Sequence, residues 1–288
     1  MNSLIFWEVA LAGIFSGRGG WVYNTEDMST SSVKKQPENQ TFRYTWHMTS
    51  QLAGFKGTRG TLLVGIGGCS SSGKSTIAKL AVQVLEDAVL VHQDDFYRHD
   101  DEVPFDEEYQ IGNWDVPEAL DMAQFERELD HIRATGRPAA KLVHNGNIDD
   151  VGKFGISEEY LEELRRRYRG RISQPVVLVD GFMLYHDDKV AARFDCRLLV
   201  RAPYATMKAR RASRGGYKTL DSFWQDPPFY FDKFVYKSYA ATHARLFRNC
   251  DVEDRLVAPD VQEIYNGDEA QITCVLEQVL DAIAAAQC

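Results

Sequence analysis

Gly68-Cys69-Ser70-Ser71-Ser72-Gly73-Lys74-Ser75 matches the pattern GxxxxGK[ST]. Its setting matters as much as its letters. The apolar run Leu62-Leu63-Val64-Gly65-Ile66 precedes it and ends in glycines, as a buried parallel strand does. A helix is predicted to follow, from about Lys74 to Asp87. Glycines let the backbone curl around an anion. Successive N–H groups then point at that anion, and the helix adds its positive N-terminal end. Gly68, Ser70, Ser71, Ser72, Gly73 and Thr76 make up the expected cradle. Lys74 is expected at the β- and γ-phosphates and the Ser75 hydroxyl on Mg²⁺, so ATP and Mg²⁺ are the implied cofactors.

The rest of the chain alternates strand and helix. Val89-Leu90-Val91, Pro175 to Val179 and Cys196 to Val200 read as further buried strands. Leu120, Phe125, Leu129 and Ile132 mark one face of a helix, and another is predicted over Ser157 to Tyr168. Ile272, Val275, Leu276, Val279, Leu280 and Ile283 fall at offsets 0, 3, 4, 7, 8 and 11, the stripe of an amphipathic helix packed on a sheet. The pattern predicts an α/β fold of the P-loop NTPase type: a doubly wound parallel sheet flanked by helices, with a helical lid.

Composition closes off other classes. The formal charge of −9 argues against a global grip on nucleic acid. No apolar run approaches the ~18 residues of a membrane span. The five cysteines are scattered and lack a CxxC pair, so a reducing, cytoplasmic setting is expected, with the nucleus also open. No obligate protein partner is evident; the expected partner is a small molecule. Residues 1–58 read as a flexible N-terminal extension and 59–288 as the P-loop domain. Ser3 to Phe15 is apolar, but Glu8 interrupts it and no basic residue precedes it, a poor signal peptide. Met28 and Met48 are candidate later starts, and the sequon at Asn39 reads as a chance match. Within the domain, 136–173 reads as a charged insert, either a solvated elaboration or a partner contact.

The chemistry-bearing residues cluster at strand ends. Gln93-Asp94-Asp95-Phe96-Tyr97 follows the second strand, where ligands of open α/β sheets bind. A carboxylate there can take the proton of an acceptor hydroxyl; elsewhere such an Asp pair is ordinary turn chemistry. Asp180 ends the third apolar strand, the Walker-B layout in which a carboxylate orients Mg²⁺ or its water. Lys208, Arg210, Arg211, Arg214 and Lys218 fall within eleven residues that contain no acid. They read as a lid over the nucleotide hinged at Gly215-Gly216, or as a solvated helix face. Asn113-Trp114-Asp115 pairs an aromatic with a carboxylate, which suits a nucleoside's base and ribose diol, or equally a packed Trp beside a helix start. No NKxD and no LSGGQ-like stretch is present.

Taken together, GCSSSGKST (Gly68 to Thr76), QDDFY (Gln93 to Tyr97), WDVPEAL (Trp114 to Leu120), VLVDGFMLY (Val177 to Tyr185), KARRASR (Lys208 to Arg214) and Tyr230-Phe231-Asp232 resemble the nicotinamide riboside kinase family. That family lies within the uridine kinase-like P-loop kinases. WDVPEAL discriminates best, because uridine kinases typically carry a Phe-Asp-His-Pro variant there. The resemblance implies 5′-phosphorylation of nicotinamide riboside, with Asp94 as catalytic base beside Lys74 and Asp180. It implies Asp115 and Arg211 on the ribose hydroxyls, Trp114 against the nicotinamide ring, and Arg210 and Arg214 in the nucleotide-side lid. Tyr217 would supply a second aromatic wall, although one extra residue after Arg214 shifts that alignment. Asp180 stands where the vertebrate-type pattern has Glu. A uridine or cytidine kinase, and a catalytically silent nucleotide-binding regulator, remain open alternatives.

Overall fold

The computed structural model describes residues 60–139 and 151–287. All of them belong to one compact unit, Lys56–Cys288. The expectations for residues 1–58 and for the middle of the charged insert lie outside the described residues. The strands are β1 (Leu62–Gly67), β2 (Val89–His92), β3 (Phe105–Asp106), β4 (Ile111–Gly112), β5 (Val176–Gly181), β6 (Cys196–Arg201), β7 (Tyr217–Lys218), β8 (Phe223–Trp224) and β9 (Gln262–Tyr265). The helices are α1 (Lys74–Val84), α2 (Met122–Thr135), α3 (Glu158–Tyr168), α4 (Asp188–Ala191), α5 (Tyr204–Ala212), α6 (Tyr236–His243) and α7 (Ile272–Ala285).

A five-stranded parallel sheet runs in the order β2-β5-β1-β6-β9. Strand side chains alternate between faces, and both faces are covered. Leu62, Val64 and Ile66 of β1 join a core layer with α1, α3 and α7, while Leu63 joins the layer of α2, Tyr185 and Phe194. Burial on both faces is why these strands read as continuous apolar runs. Gly65 and Gly67 are dictated by packing: a Cβ on Gly67 would lie 2.5 Å from the Tyr185 ring. Tyr185 fills that space and donates its hydroxyl to the Gly65 carbonyl at 2.7 Å.

Helix α1 lies on one face and α4 on the other, because β1 connects to β2 and β5 crosses β1 to reach β6. The two connections part between β1 and β5, so their carboxyl ends open onto the ligand crevice of a doubly wound sheet. Four of the strands coincide with the apolar runs of the sequence. Helix α1 stops at Val84, three residues short of the expected end, because Leu85 is already extended and Asp87 turns the chain with φ +58°. Strand β9 has no counterpart among the apolar runs: only Ile264 of its four residues is buried, as suits an edge strand with polar flanks.

The charged insert contributes to the scaffold. Ser157 caps α3 by accepting from the Tyr160 N–H, and Leu161, Leu164 and Tyr168 are buried in the layer of α1 and α7. Burying each leucine is worth about 1.5–3 kcal/mol. Arg167 pairs with Glu277 of α7 at 2.6 Å, and the Tyr168 hydroxyl donates to Asp281 at 2.9 Å. Solvated elaboration therefore describes only the outer face of this helix. No helix among the described residues is long and apolar enough to cross a membrane.

Candidate active site

The phosphate cradle sits where the sequence places it, between β1 and α1. Gly68 and Gly73 hold φ of +146° and +100°, which L side chains rarely adopt. A Cβ on Gly68 would also collide with the Val200 carbonyl oxygen. The buried hydroxyls of Ser71 and Ser72 find no protein partner among the described residues, and the first turn of α1 has no intrahelical use for its N–H groups. Both observations fit a bound anion. One clamp comes from far along the chain: Asn266, just past β9, donates its side-chain N–H to the Ser72 carbonyl at 2.7 Å.

The carboxyl ends of β2 and β5 bring the acidic residues to this cradle. Asp180 is buried; one of its oxygens accepts from the Ser75 hydroxyl and the other faces His92 Nδ1 at 2.5 Å. Burial pushes the Asp180 pKa up, but the charges of His92 and Lys74 and the hydrogen bonds from His92 and Ser75 outweigh it, leaving a net lowering. Asp94 lies in a 3₁₀ turn over Gln93–Phe96 directly after β2. Gln93 anchors that turn, since its buried side-chain oxygen accepts from the Met183 N–H at 2.8 Å beyond β5. Asp94 is open to solvent, yet its surroundings are crowded enough that desolvation raises its pKa, aided by Asp180 and opposed by Lys74, His92 and Arg214. A raised pKa makes a carboxylate a better proton acceptor for an alcohol.

No group of three or more His, Cys, Asp or Glu side chains among the described residues is placed to hold a metal alone. Mg²⁺ at a phosphate site commonly uses one or two protein oxygens and takes the rest from phosphate and water. The converging oxygens of Ser75 and Asp180 fit that role.

Arg211 links the cradle to the acids beside it. It is buried, donates to the Ser70 hydroxyl at 2.7 Å and forks onto Asp226 through Nε at 2.5 Å and Nη2 at 3.1 Å. Nη2 also lies 3.7 Å from Asp115. Arg211 and Asp115, each expected on the ribose hydroxyls, are thus brought together beside Ser70 of the cradle. Burial raises the Asp115 pKa even against Arg211, with Asp226 and Asp94 adding to the rise. Burial opposes charge on Arg211, but Asp115, Tyr217 and Asp226 hold its pKa well above the usual value.

The basic stretch is balanced in space, although not in sequence. Lys208 pairs with Asp232 at 2.7 Å, Arg210 donates to the Asn266 carbonyl at 3.0 Å, and Arg211 holds Asp226. Helix α5 carries its first half and the β7–β8 hairpin the second, so the lid region is part helix and part hairpin. Arg214 reaches Tyr217, whose ring lies under both Arg211, 4.6 Å away, and Arg214, 5.5 Å away.

Aromatic rings gather around Trp114. Trp114 is buried, with ring neighbours Tyr97 at 5.6 Å and Trp224 at 6.3 Å. Trp224 faces Tyr217 across the hairpin and donates its indole N–H to Asp226 at 2.8 Å. Trp224 thus stands beside Trp114, and Tyr217 is its strand partner. Asp226, Trp224, His92 and Asn266 escape a reading of the sequence because none lies in a spacing pattern. Only the strand register and the hairpin bring them in.

No family model matches the sequence. The chain is 50% identical over 228 residues to the nicotinamide riboside kinase of Saccharomyces cerevisiae, covering 77% of this chain and 95% of that protein. It is 38% identical over 207 residues to the nicotinamide riboside kinase of Schizosaccharomyces pombe, covering 71% and 89%. A uridine kinase of Borrelia hermsii is 28% identical over 163 residues, covering 56% and 71%. With half its residues shared over nearly the whole length of the first of these relatives, the chain belongs to the nicotinamide riboside kinase family.

Proposed function

We propose that this chain transfers the γ-phosphoryl group of ATP to the 5′-hydroxyl of nicotinamide riboside, giving nicotinamide mononucleotide for salvage into NAD. The observation that carries the site reading is the meeting of Asp94, Lys74 and Asp180 at one sheet edge beside the cradle. In this reading Asp94 accepts the hydroxyl proton while the acceptor oxygen bonds to phosphorus and the bond to the ADP oxygen breaks. Lys74 and the cradle N–H groups neutralise charge on the phosphates, with Arg214 closing from the lid side. A Mg²⁺ on Ser75 and Asp180 would supply further charge neutralisation when bound. Arg211 and Asp115 orient the ribose diol.

Three carboxylates, Asp94, Asp115 and Asp226, and the rings of Trp114 and Trp224 border the acceptor side. Acidic and aromatic faces suit a cationic pyridinium better than a neutral pyrimidine, which favours this substrate over uridine or cytidine. A reducing cytoplasmic or nuclear setting belongs to the same reading and is supported by the free thiols of Cys69, Cys196, Cys250 and Cys274.

The test is ATP consumption with Mg²⁺ and nicotinamide riboside, nicotinic acid riboside, uridine, cytidine or no acceptor. Turnover is expected with the nicotinamide riboside. Turnover with uridine or cytidine alone would keep the mechanism and overturn the pocket reading, and no acceptor-dependent turnover would favour a silent regulator. Asp94→Asn is expected to bind ATP normally and lose at least about 10²-fold in kcat; retained turnover would remove Asp94 from the role.

A further inference from the structure

His92 lies in none of the sequence motifs, yet the sheet register makes it the direct neighbour of Asp180. The two are Cα partners across the parallel β2–β5 pair, at the last residue of β2 and the penultimate residue of β5. Their side chains meet with His92 Nδ1 2.5 Å from Asp180 Oδ1. An ionised carboxylate only accepts, so Nδ1 carries the hydrogen and donates. The remaining oxygen, Oδ2, accepts from Ser75 Oγ. Three elements, β2, β5 and α1, thus contribute one side chain each to a His92–Asp180–Ser75 chain.

This geometry bears on the choice of Asp. An aspartate has one methylene fewer than a glutamate and less reach toward the cradle. Asp180 is buried, so its two oxygens are distinguished by their partners and not by water. We propose that His92 is a positioning residue: by engaging Oδ1 it turns Oδ2 toward Ser75 and fixes the oxygen pair that receives the divalent cation of the nucleotide. The inference rests on the reading that Ser75 and Asp180 hold that cation. Partners that orient a metal-ligating carboxylate from behind typically govern metal affinity or activity by about 10–100-fold.

The test compares His92→Gln, His92→Asn and Asp180→Asn with the unmodified protein. The readouts are Mn²⁺ binding in the presence of excess ADP, followed by electron paramagnetic resonance, and ADP binding without metal. Asparagine places an amide nitrogen near the position of Nδ1; glutamine, of similar bulk, places it near Nε2. His92→Gln is expected to weaken Mn²⁺ binding at least about tenfold, while His92→Asn keeps most of the affinity. ADP binding without metal is expected to be the same in the unmodified protein and the two His92 variants. In steady-state assays, His92→Gln should need more Mg²⁺ for half-maximal rate and recover kcat at saturation. Unchanged Mn²⁺ affinity in His92→Gln, with Asp180→Asn weakened, overturns the role of His92 alone. Equal losses in the Gln and Asn variants also overturn it, since positioning through Nδ1 predicts a difference. Unchanged affinity in Asp180→Asn overturns the metal-site reading and the proposal with it.

Discussion

Arg211 shows how one buried side chain can hold several segments in register. Its guanidinium spans Ser70 of the cradle, Asp226 after the hairpin and Asp115 of the acceptor side, and it lies 4.6 Å from the Tyr217 ring. A planar fork with five donors can do this; an ammonium cannot. Removing it strands two carboxylates, one buried and one largely so. Arg211→Ala is therefore expected to cost about 3 kcal/mol in urea-induced unfolding, the lower end for breaking a buried pair. Adding Asp226→Asn should restore part of that loss by removing one uncompensated charge. An additive double variant would show that the two residues do not interact. Arg211 and Asp115 were legible as site candidates because each lies in a recognisable motif, although their contact with each other was not. Asp226 was not, since nothing in Gln225-Asp226-Pro227 distinguishes it from any turn acid before the fold delivers it to the guanidinium.

At the scale of elements, the β7–β8 hairpin departs most from the expected lid. Gly216 holds φ +130°, and the Phe223 ring occupies the space that a Cβ on this residue would take. Gly216 therefore serves hairpin geometry. The hairpin tip is tied to the loop after β2. Ser222 and Thr219 donate to Asp100 Oδ2 at 2.6 and 3.2 Å, the Asp100 N–H donates to Asp221 at 3.0 Å, and His99 Nδ1 donates to Asp221 at 3.1 Å. Most of these bonds are exposed, so each is individually weak. Together they set how often the tip detaches. Asp100→Ala is expected to speed amide exchange over 217–224 while leaving β1 and β5 protected, measured by hydrogen exchange with mass spectrometry. Equal exchange in both proteins would show that the tip is held by other contacts. The acids that form this latch lie more than a hundred residues from their partners, which is why no local reading of the sequence finds it.

For the whole molecule, the readable part of the fold was the part with a buried period. Strands covered on both faces and the striped helix α7 announce themselves by apolar residues, whereas β9, with only Ile264 inside, gains its place by pairing to β6. Burial also fixes how the molecule responds to acid, and His243 carries a distinct part of that response. It is wholly buried against Tyr239, with Nδ1 2.9 Å from the Thr242 hydroxyl. Burial drives its pKa down to about 3, with His186 and Arg245 adding repulsion and a backbone bond to Tyr239 opposing. The unfolded chain takes up this proton near pH ~6.5. Between that pH and about 3 the unfolded state binds the extra proton, so stability falls as pH falls, by about 1.4 kcal/mol per unit from this group. Carboxylates with lowered pKa, Asp180 among them, add their own losses at lower pH, so the total slope does not isolate the histidine. A comparison with His243→Gln does. At pH 7 the variant is expected to be the less stable of the two, having lost a fitted ring. As pH drops toward 4.5 its deficit should shrink by about 1.4 kcal/mol per unit, because glutamine has no proton to gain on unfolding. Urea titrations of both proteins at several pH values measure this directly. Parallel curves would mean that His243 is protonated in the folded protein, or that its site opens to water before the molecule unfolds.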